Sequence, residues 1–525
     1  MRGAEGPTPR PRRARREGAR AEICRVRYHE IVPTYHVQNF GCRATQADGA
    51  VLERQFEARG LARTTASQAD LVILNSCTVT NAADQDARAA IRRVQRQNPL
   101  AKIVVTGCYA QRAPEEVAAL PGVACVIGNS HKHQLAEIVL SDLLATSPNL
   151  TKPASGGHPF VPLRALTENR EPRTENWIYV SDIFAHTELL AAPVFEAAGA
   201  AAQHQTDRTR PTLKIQDGCD NRCSFCVIPS VRGQSRSLAL AEVIREVNAL
   251  VESGYREVVI SGINLGRWGR DLGAGPPTLA LSQRRAEEAE GRKPEAGSRK
   301  PGFEHLVQTI LSETKLEKLR ISSVEPMDWS DELVHLMASS PRIAKHAHVP
   351  LQSGSDAVLR RMHRKYRPWH YREKIENIRK AIPTAAIGAD VMAGFPGETD
   401  AEFDATRRLI EELPLTYLHV FTYSARPGTP AEALPNQVPV HIARERTRIL
   451  RDLGARKKNA FMQSFIGEPL QAITLNEMHT APEGEFTEAL TDNYLKLSMR
   501  GRHRPNRWIT ADIDGMENGA LISRS

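Results

Sequence analysis

Between Lys214 and Gly233 the chain reads KIQDGCDNRCSFCVIPSVRG, which places the thiols of Cys219, Cys223 and Cys226 at spacings of four and three. Thiolates bind zinc and iron–sulfur clusters, and a structural zinc site closes a tetrahedron with four Cys or His ligands. No fourth ligand stands near, since the neighbouring histidines in the chain are His204 and His305. Three thiolates on a [4Fe-4S] cube leave one iron without a protein ligand. A non-enzymatic RNA-binding protein holding zinc on these cysteines is the alternative from a different class.

Three further cysteines end short apolar runs: Cys42 in YHVQNFGC, Cys77 in DLVILNSC and Cys108 in KIVVTGC. Each run leads into a helical pattern, so the region reads as a parallel sheet with crossover helices. Ligands of open parallel sheets gather at the carboxyl ends of the strands. That rule brings the three cysteines together although 35 and 31 residues separate them. Cysteines serving only as core would fall inside the strands. Cys125, inside the apolar run VACVIG, reads as such a buried strand residue, and Cys24 as a second loner.

A chain of 525 residues is too long for one ordinary core, and 41% apolar with 25% charged residues describes a globular protein. No run approaches the roughly 18 to 20 apolar residues of a membrane span, and the start lacks the apolar segment of a secretory signal. A cytoplasmic protein with no membrane partner is expected. Seven Arg against two Glu within residues 1–20 supply five of the nine net positive charges, so residues 1–32 read as a disordered basic tail. The strand–helix domain spans 33–145 and a linker 146–210.

Six strand candidates follow over 211–455: TLKIQ at 212, EVVISG at 257, KLRISSV at 318, HAHVPL at 346, AAIGADVMAG at 385 and YLHVFTYS at 417. Helical patterns lie between them, which predicts a partial (β/α)6 barrel, interrupted by a Gly-, Pro-, Arg- and Glu-rich insertion at 271–300. The stretch with Cys219, Cys223 and Cys226 follows the first barrel strand, where a barrel's chemistry belongs. Short alternating segments over 460–525 suit a small all-β barrel. Its basic run, Lys496, Arg500, Arg502, Arg504 and Arg507, is a candidate RNA-touching rim, or else an ordinary charged strand face.

The CxxxCxxC spacing, with Phe225 just before its last cysteine, resembles the signature of radical S-adenosylmethionine enzymes. The resemblance implies a cluster whose open iron is chelated by S-adenosylmethionine, radical chemistry at the cluster, and no acid or base catalyst. SGINLGRWG then resembles the segment beside the methionine amino group, placing Ser261, Gly262 and Asn264 near the cofactor. ISSVEP resembles the ribose-contacting strand, with Ser323 and Glu325, and DVMAGFPGET the motif beside the adenine, around Asp390 and Gly394.

A cysteine-bearing sheet domain before such a barrel and a small β-barrel after it resemble the methylthiotransferases. In that family the N-terminal cysteines, here Cys42, Cys77 and Cys108, bind a second [4Fe-4S] cluster, and the C-terminal barrel is an RNA- or protein-binding TRAM domain. NSCTVTNAADQDAR at 75–88 resembles the branch that converts N6-threonylcarbamoyladenosine-37 of tRNA to its 2-methylthio derivative, while Ala44 and Thr45 in FGCRATQAD depart from that branch's usual first motif. The competing branches act on isopentenyladenosine in tRNA or on an aspartate of a ribosomal protein. The resemblance implies as partners the tRNA anticodon stem-loop, an electron donor such as flavodoxin or ferredoxin, and a sulfur source.

Overall fold

The computed structural model describes residues 32–144, 177–185, 209–272, 302–481 and 484–524. The Arg-rich tail, most of the expected linker and nearly all of the expected insertion lie outside the described residues. Residues from Pro33 onward form a single compact unit rather than separable bodies.

Its first part is a six-stranded sheet built from β1 (Thr34–Asn39), β2 (Ala62–Arg63), β3 (Leu71–Ser76), β4 (Lys102–Gly107), β5 (Val123–Gly128) and β6 (Trp177–Tyr179). The order is β2-β1-β3-β4-β5-β6 and every pairing is parallel. Successive side chains of a strand point to opposite faces. Leu71 and Ile73 therefore pack with Leu52 and Phe56 of the helix Arg43–Glu57, while Val72 and Leu74 pack with Ile91 and Val94 of the helix Asn81–Gln97. A sheet covered on both faces needs near-continuous apolar strands, which is what LVIL and IVV supply. Cys125 is fully buried in β5. The edge strand β6 falls within 146–210, a stretch whose sequence gave no strand pattern; three residues pairing Trp177 with Cys125 are too few to show one.

The central barrel comprises β7 (Thr212–Lys214), a small antiparallel pair of β8 (Gln216–Asp217) and β9 (Arg236–Ser237), then β10 (Glu257–Ser261), β11 (Lys318–Ile321), β12 (His346–His348), β13 (Ala386–Ala393) and β14 (Tyr417–Thr422). All six expected barrel strands are present. They form two parallel three-stranded sheets, β11-β10-β7 and β12-β13-β14, joined by single bridges at Leu319–Ile343 and Ser323–His348. The helices between them bury apolar stripes in one large core. The helix Asp400–Glu412 opens with a capping box, Thr399 and Glu402 each satisfying the other's backbone N–H.

The last part is a curled mixed sheet of β15 (Pro469–Ala481), β16 (Gly484–Thr491), β17 (Lys496–Arg500), β18 (Trp508–Asp512), β19 (Gly515–Glu517) and β20 (Ala520–Ser523), in the order β18-β15-β16-β17-β20-β19. The β16–β17 hairpin turn is fastened to the barrel through buried Arg320. Arg320 Nε donates to Glu257 Oε1 at 2.6 Å, and its two terminal nitrogens donate to the carbonyls of Asp492 at 3.1 Å and Thr491 at 3.4 Å. Replacing Arg320 by Met leaves Glu257 buried beside Arg210 alone, at 3.4 Å. Breaking a buried pair from one side costs about 3–5 kcal/mol. The expected outcome is a clearly lowered urea midpoint; an unchanged midpoint would show that the turn is held by other contacts.

Candidate cluster and substrate site

The second cysteine triplet sits on a loop bracketed by β8 and β9. Gly218 enters it at φ +70°, where a Cβ would lie 1.9 Å from the carbonyl oxygen of Gln234, so only glycine lets the chain pass there. The Cys219 N–H donates to Gly233 O at 3.1 Å, and Ser224 is tied to Met362 and Arg361 of the barrel. Donors converge on the sulfurs. The backbone N–H of Asn221 and Nδ2 of Asn264 lie 3.4 Å and 3.7 Å from Cys219 Sγ, and buried Arg364 places Nη1 3.3 Å from Cys223 Sγ. Burial raises the thiol of Cys219 and pushes that of Cys226 up to about 12. Such groups stay protonated unless a bound cation replaces the proton. Three thiols on one loop, ringed by donors suited to thiolates, fit a [4Fe-4S] cluster.

The first triplet gathers as the strand-end rule requires. Cys42 caps the helix after β1, Cys77 follows β3, and Cys108 opens the short helix after β4. Gly41, at φ +96°, presses so closely on Cys77 that a Cβ there would be 2.8 Å from its sulfur. Burial, then the neighbouring Cys108 and Cys42, push the Cys77 thiol up to about 11. The segment after Cys77 is held by the barrel: Arg426 donates to Thr78 Oγ1 at 2.8 Å and also bonds Asn81 and Asp84. The Thr-Asn-Ala-Ala-Asp stretch therefore positions the cysteine loop.

The two triplets meet. Cys108 packs with Val227, Ile228 and Val231 just beyond the second triplet, and Cys219 and Cys226 pack against the same cluster. Beside it lies a buried group of five charges. Asp48 accepts from Lys132 at 3.1 Å, Lys214 at 2.5 Å and Arg232 at 3.0 Å, while Asp217 accepts from Lys214 at 2.8 Å and Arg232 at 2.9 Å. Burial alone would raise both carboxyls, but these cations hold them far below the usual carboxylate range. Lys214, facing two carboxylates, is raised against the pull of burial; Lys132, facing one, is lowered by it.

A cavity of about 430 Å³ opens between these parts, lined by Cys42 and by Ser261, Gly262, Ser323 and Asp390. Four of the seven residues expected at the cofactor are thus brought together. Asn264 lies beside them, its amide on Cys219 and its buried Oδ1 without a hydrogen-bond partner. Glu325 faces a separate small pocket with Cys223, bonded to Arg364. Gly394 does not reach the cavity: at φ +77° it lies against the helix Val440–Gln463, where a Cβ would meet that of Ala443 at 2.4 Å.

Sequence reasoning missed the far wall, formed by His346, His348, Tyr417, His419 and Tyr494. Two of its pairs were detectable, because His346 and His348 on β12, and Tyr417 and His419 on β14, repeat at the two-residue period of a strand face. The basic run is exposed at Lys496 and Arg500, the two ends of β17, and at Arg504 and Arg507. Arg502 is also exposed but pairs with Glu485 at 3.0 Å. Trp508 faces inward, under the ammonium of Lys318.

Residues 34–128 match the family model described as Uncharacterized protein family UPF0004, and residues 213–410 match the Radical SAM superfamily. The barrel and its three-cysteine loop thus define a radical S-adenosylmethionine protein, which implies a [4Fe-4S] cluster and S-adenosylmethionine. Over 472 residues the chain is 33% identical to the threonylcarbamoyladenosine tRNA methylthiotransferase MtaB of Bacillus subtilis (strain 168), covering 89% of this chain and 90% of that one. The like-named protein of Aquifex aeolicus (strain VF5) is 32% identical, with 88% and 96% covered. A tRNA-2-methylthio-N(6)-dimethylallyladenosine synthase of Thermobifida fusca (strain YX) is 29% identical, with 92% and 83% covered. The chain belongs to the threonylcarbamoyladenosine tRNA methylthiotransferase family. Among the described residues no helix is long and apolar enough to cross a membrane.

Asp48→Asn would leave Lys132 without its carboxylate and Lys214 and Arg232 sharing Asp217 alone, at a cost of about 3–5 kcal/mol at neutral pH. Because the folded carboxyl lies below its unfolded value of about 3.9, its contribution is full above that pH and is lost as the pH falls below it. Unfolding followed from pH 7 to pH 2 should show the gap between variant and parent closing on acidification; a gap independent of pH would mean the carboxylate's charge is not what matters.

Proposed function

We propose that this chain is the enzyme that converts N6-threonylcarbamoyladenosine in tRNA to its 2-methylthio derivative. The observation that carries the reading is the single cavity lined both by Cys42 of the first triplet and by the strand-end residues of the barrel that follow the second. A sulfur-supplying centre and a radical-generating centre must both reach one substrate carbon; the cavity is lined by Cys42 of the one, and its Ser261 and Gly262 lead into Asn264, whose amide lies 3.7 Å from Cys219 Sγ of the other.

Cys219, Cys223 and Cys226 would hold the cluster of the superfamily, and Cys42, Cys77 and Cys108 a second one. When bound, the clusters and S-adenosylmethionine supply one-electron activation of an unreactive C–H bond and a transferable methylthio group. Ser261, Gly262, Ser323 and Asp390 would cradle S-adenosylmethionine, Asn264 and Arg364 polarise the sulfurs they touch, and Glu325 holds Arg364 in place. Lys496, Arg500, Arg504 and Arg507 would meet RNA phosphates, contacts that position without reading bases. Reduction requires a one-electron carrier of the flavodoxin or ferredoxin kind, and turnover requires an external sulfur source. The cysteine-bearing sheet over 33–145, the barrel over 211–455 and the curled sheet over 460–525 would be the three working parts.

Mass spectrometry of total tRNA nucleosides from a strain lacking the gene tests the reading. The expected result is loss of 2-methylthio-threonylcarbamoyladenosine with accumulation of its precursor; loss of the isopentenyl derivative instead would assign the chain to the other tRNA branch. Iron content separates the triplets. About eight irons per chain are expected for two four-iron clusters, and about four in either Cys77→Ala or Cys223→Ala. Only Cys223→Ala should abolish 5′-deoxyadenosine formation, while both abolish methylthiolation. Full iron in Cys77→Ala would refute the second cluster.

A further inference from the structure

The far wall of the cavity contains a residue from outside the barrel. Tyr494 belongs to the β16–β17 turn of the C-terminal sheet, yet it lines the same cavity as Cys42 and Asp390. Its ring stacks on His346 with centroids 4.3 Å apart and lies 6.2 Å from that of Tyr417, whose hydroxyl is 2.6 Å from His346 Nε2. Its backbone is at φ +68°, a region that a bulky aromatic residue rarely enters. Such a conformation persists only where the surroundings over-determine it.

They do so here. Arg320 takes the carbonyls of Thr491 and Asp492, Asp492 Oδ1 lies 3.3 Å from Lys318 Nζ and accepts from the Lys345 N–H, and Asn493 Nδ2 donates to Thr384 O at 3.1 Å. Thr491 Oγ1 donates to Asn493 Oδ1 at 2.6 Å and accepts from the Leu495 N–H at 2.8 Å, closing the turn on itself. Four residues of the turn are thus fastened so that the fifth projects into the cavity. The same hairpin continues into β17, whose ends carry exposed Lys496 and Arg500.

We infer that Tyr494 is a positioning residue for the target nucleoside: RNA held at the basic end of the hairpin delivers its modified adenine to a cavity whose wall is completed by the same hairpin. The inference rests on the proposed tRNA function and adds which side chain reads the base. Aromatic and imidazole rings accept a planar purine, and an aromatic partner contributes about ten- to hundredfold in affinity for a stacked base; the carbamoyl group conjugated to N6 extends that planar surface, so the modified base stacks over a larger area than plain adenine. Recognition of the modified base is thereby separated from phosphate contacts, which do not distinguish one nucleoside from another.

The test uses the full-length, cluster-loaded protein and two labelled anticodon stem-loops, with and without the threonylcarbamoyl group on the target adenosine. Binding is read by fluorescence anisotropy for the parent, Tyr494→Asn and Tyr494→Phe, alongside kcat and KM and the unfolding midpoint. Asn tolerates the left-handed backbone and removes the ring; Phe keeps the ring. The expected result is that the parent prefers the modified loop, that Tyr494→Asn loses about tenfold of that preference with KM raised more than kcat is lowered, and that Tyr494→Phe restores it. A Tyr494→Asn protein that keeps the preference and KM of the parent would overturn the inference and leave the proposed function standing. A parent that neither prefers nor methylthiolates the modified loop would instead overturn the function on which it rests. Should Tyr494→Asn unfold, the Phe variant decides: loss of preference in a folded Tyr494→Phe overturns stacking as the role of the ring.

Discussion

Everything at the centre of this molecule depends on five charges taken out of water together. Asp48 comes from the first sheet domain, Lys132 from the turn after its fifth strand, and Lys214, Asp217 and Arg232 from the start of the barrel. Two buried carboxylates against three cations are tolerable only if each finds its partners, because an ion left alone in a low-dielectric interior is penalised by several kcal/mol. That demand makes the group a register pin. The helix carrying Asp48 can meet the barrel in one position, and this position sets Cys42 at the mouth of the barrel cavity and Cys108 against Cys219 and Cys226.

The excess positive charge has a second effect. Arg232 and Lys132 act on the thiols of the first triplet as well as on the carboxylates. A centre built from three thiolates concentrates negative charge, and a fixed cation nearby favours it where apolar packing by Val227, Ile228 and Val231 would oppose it. The joint combines exclusion of water with charge balance, which apolar contacts alone do not provide.

Much of this was legible in the residues. Strands that are apolar on both faces announce themselves, and all six barrel strands and the three cysteine-bearing strands stand where their apolar runs are. The cysteine spacing was decisive because few chemistries need three thiols and refuse a fourth. What escaped was of two kinds. Short edge elements such as β2 and β6 take their existence from neighbours rather than from their own pattern. Residues of the far wall and the charge group are brought together only in space: nothing near Asp48 in the chain points to Lys214, and nothing near Tyr494 points to His346. Gly394 has a duty that its motif does not announce, since its lack of a side chain lets the helix Val440–Gln463 pack against it.

The cavity is assembled from Cys42, from strands spread through the middle of the chain, and from Tyr494 on a late hairpin. Contacts so distant in sequence form late, because the chain between them must be ordered first. A ribosome releases the cysteine-bearing sheet before the barrel and the barrel before the hairpin, and domains fold in that order as they emerge. A nascent chain can therefore hold both cysteine sites in place well before its cavity has a far wall. Of the parts that line the cavity the hairpin arrives last, and its docking gives a reactive centre the final wall of its place for one substrate.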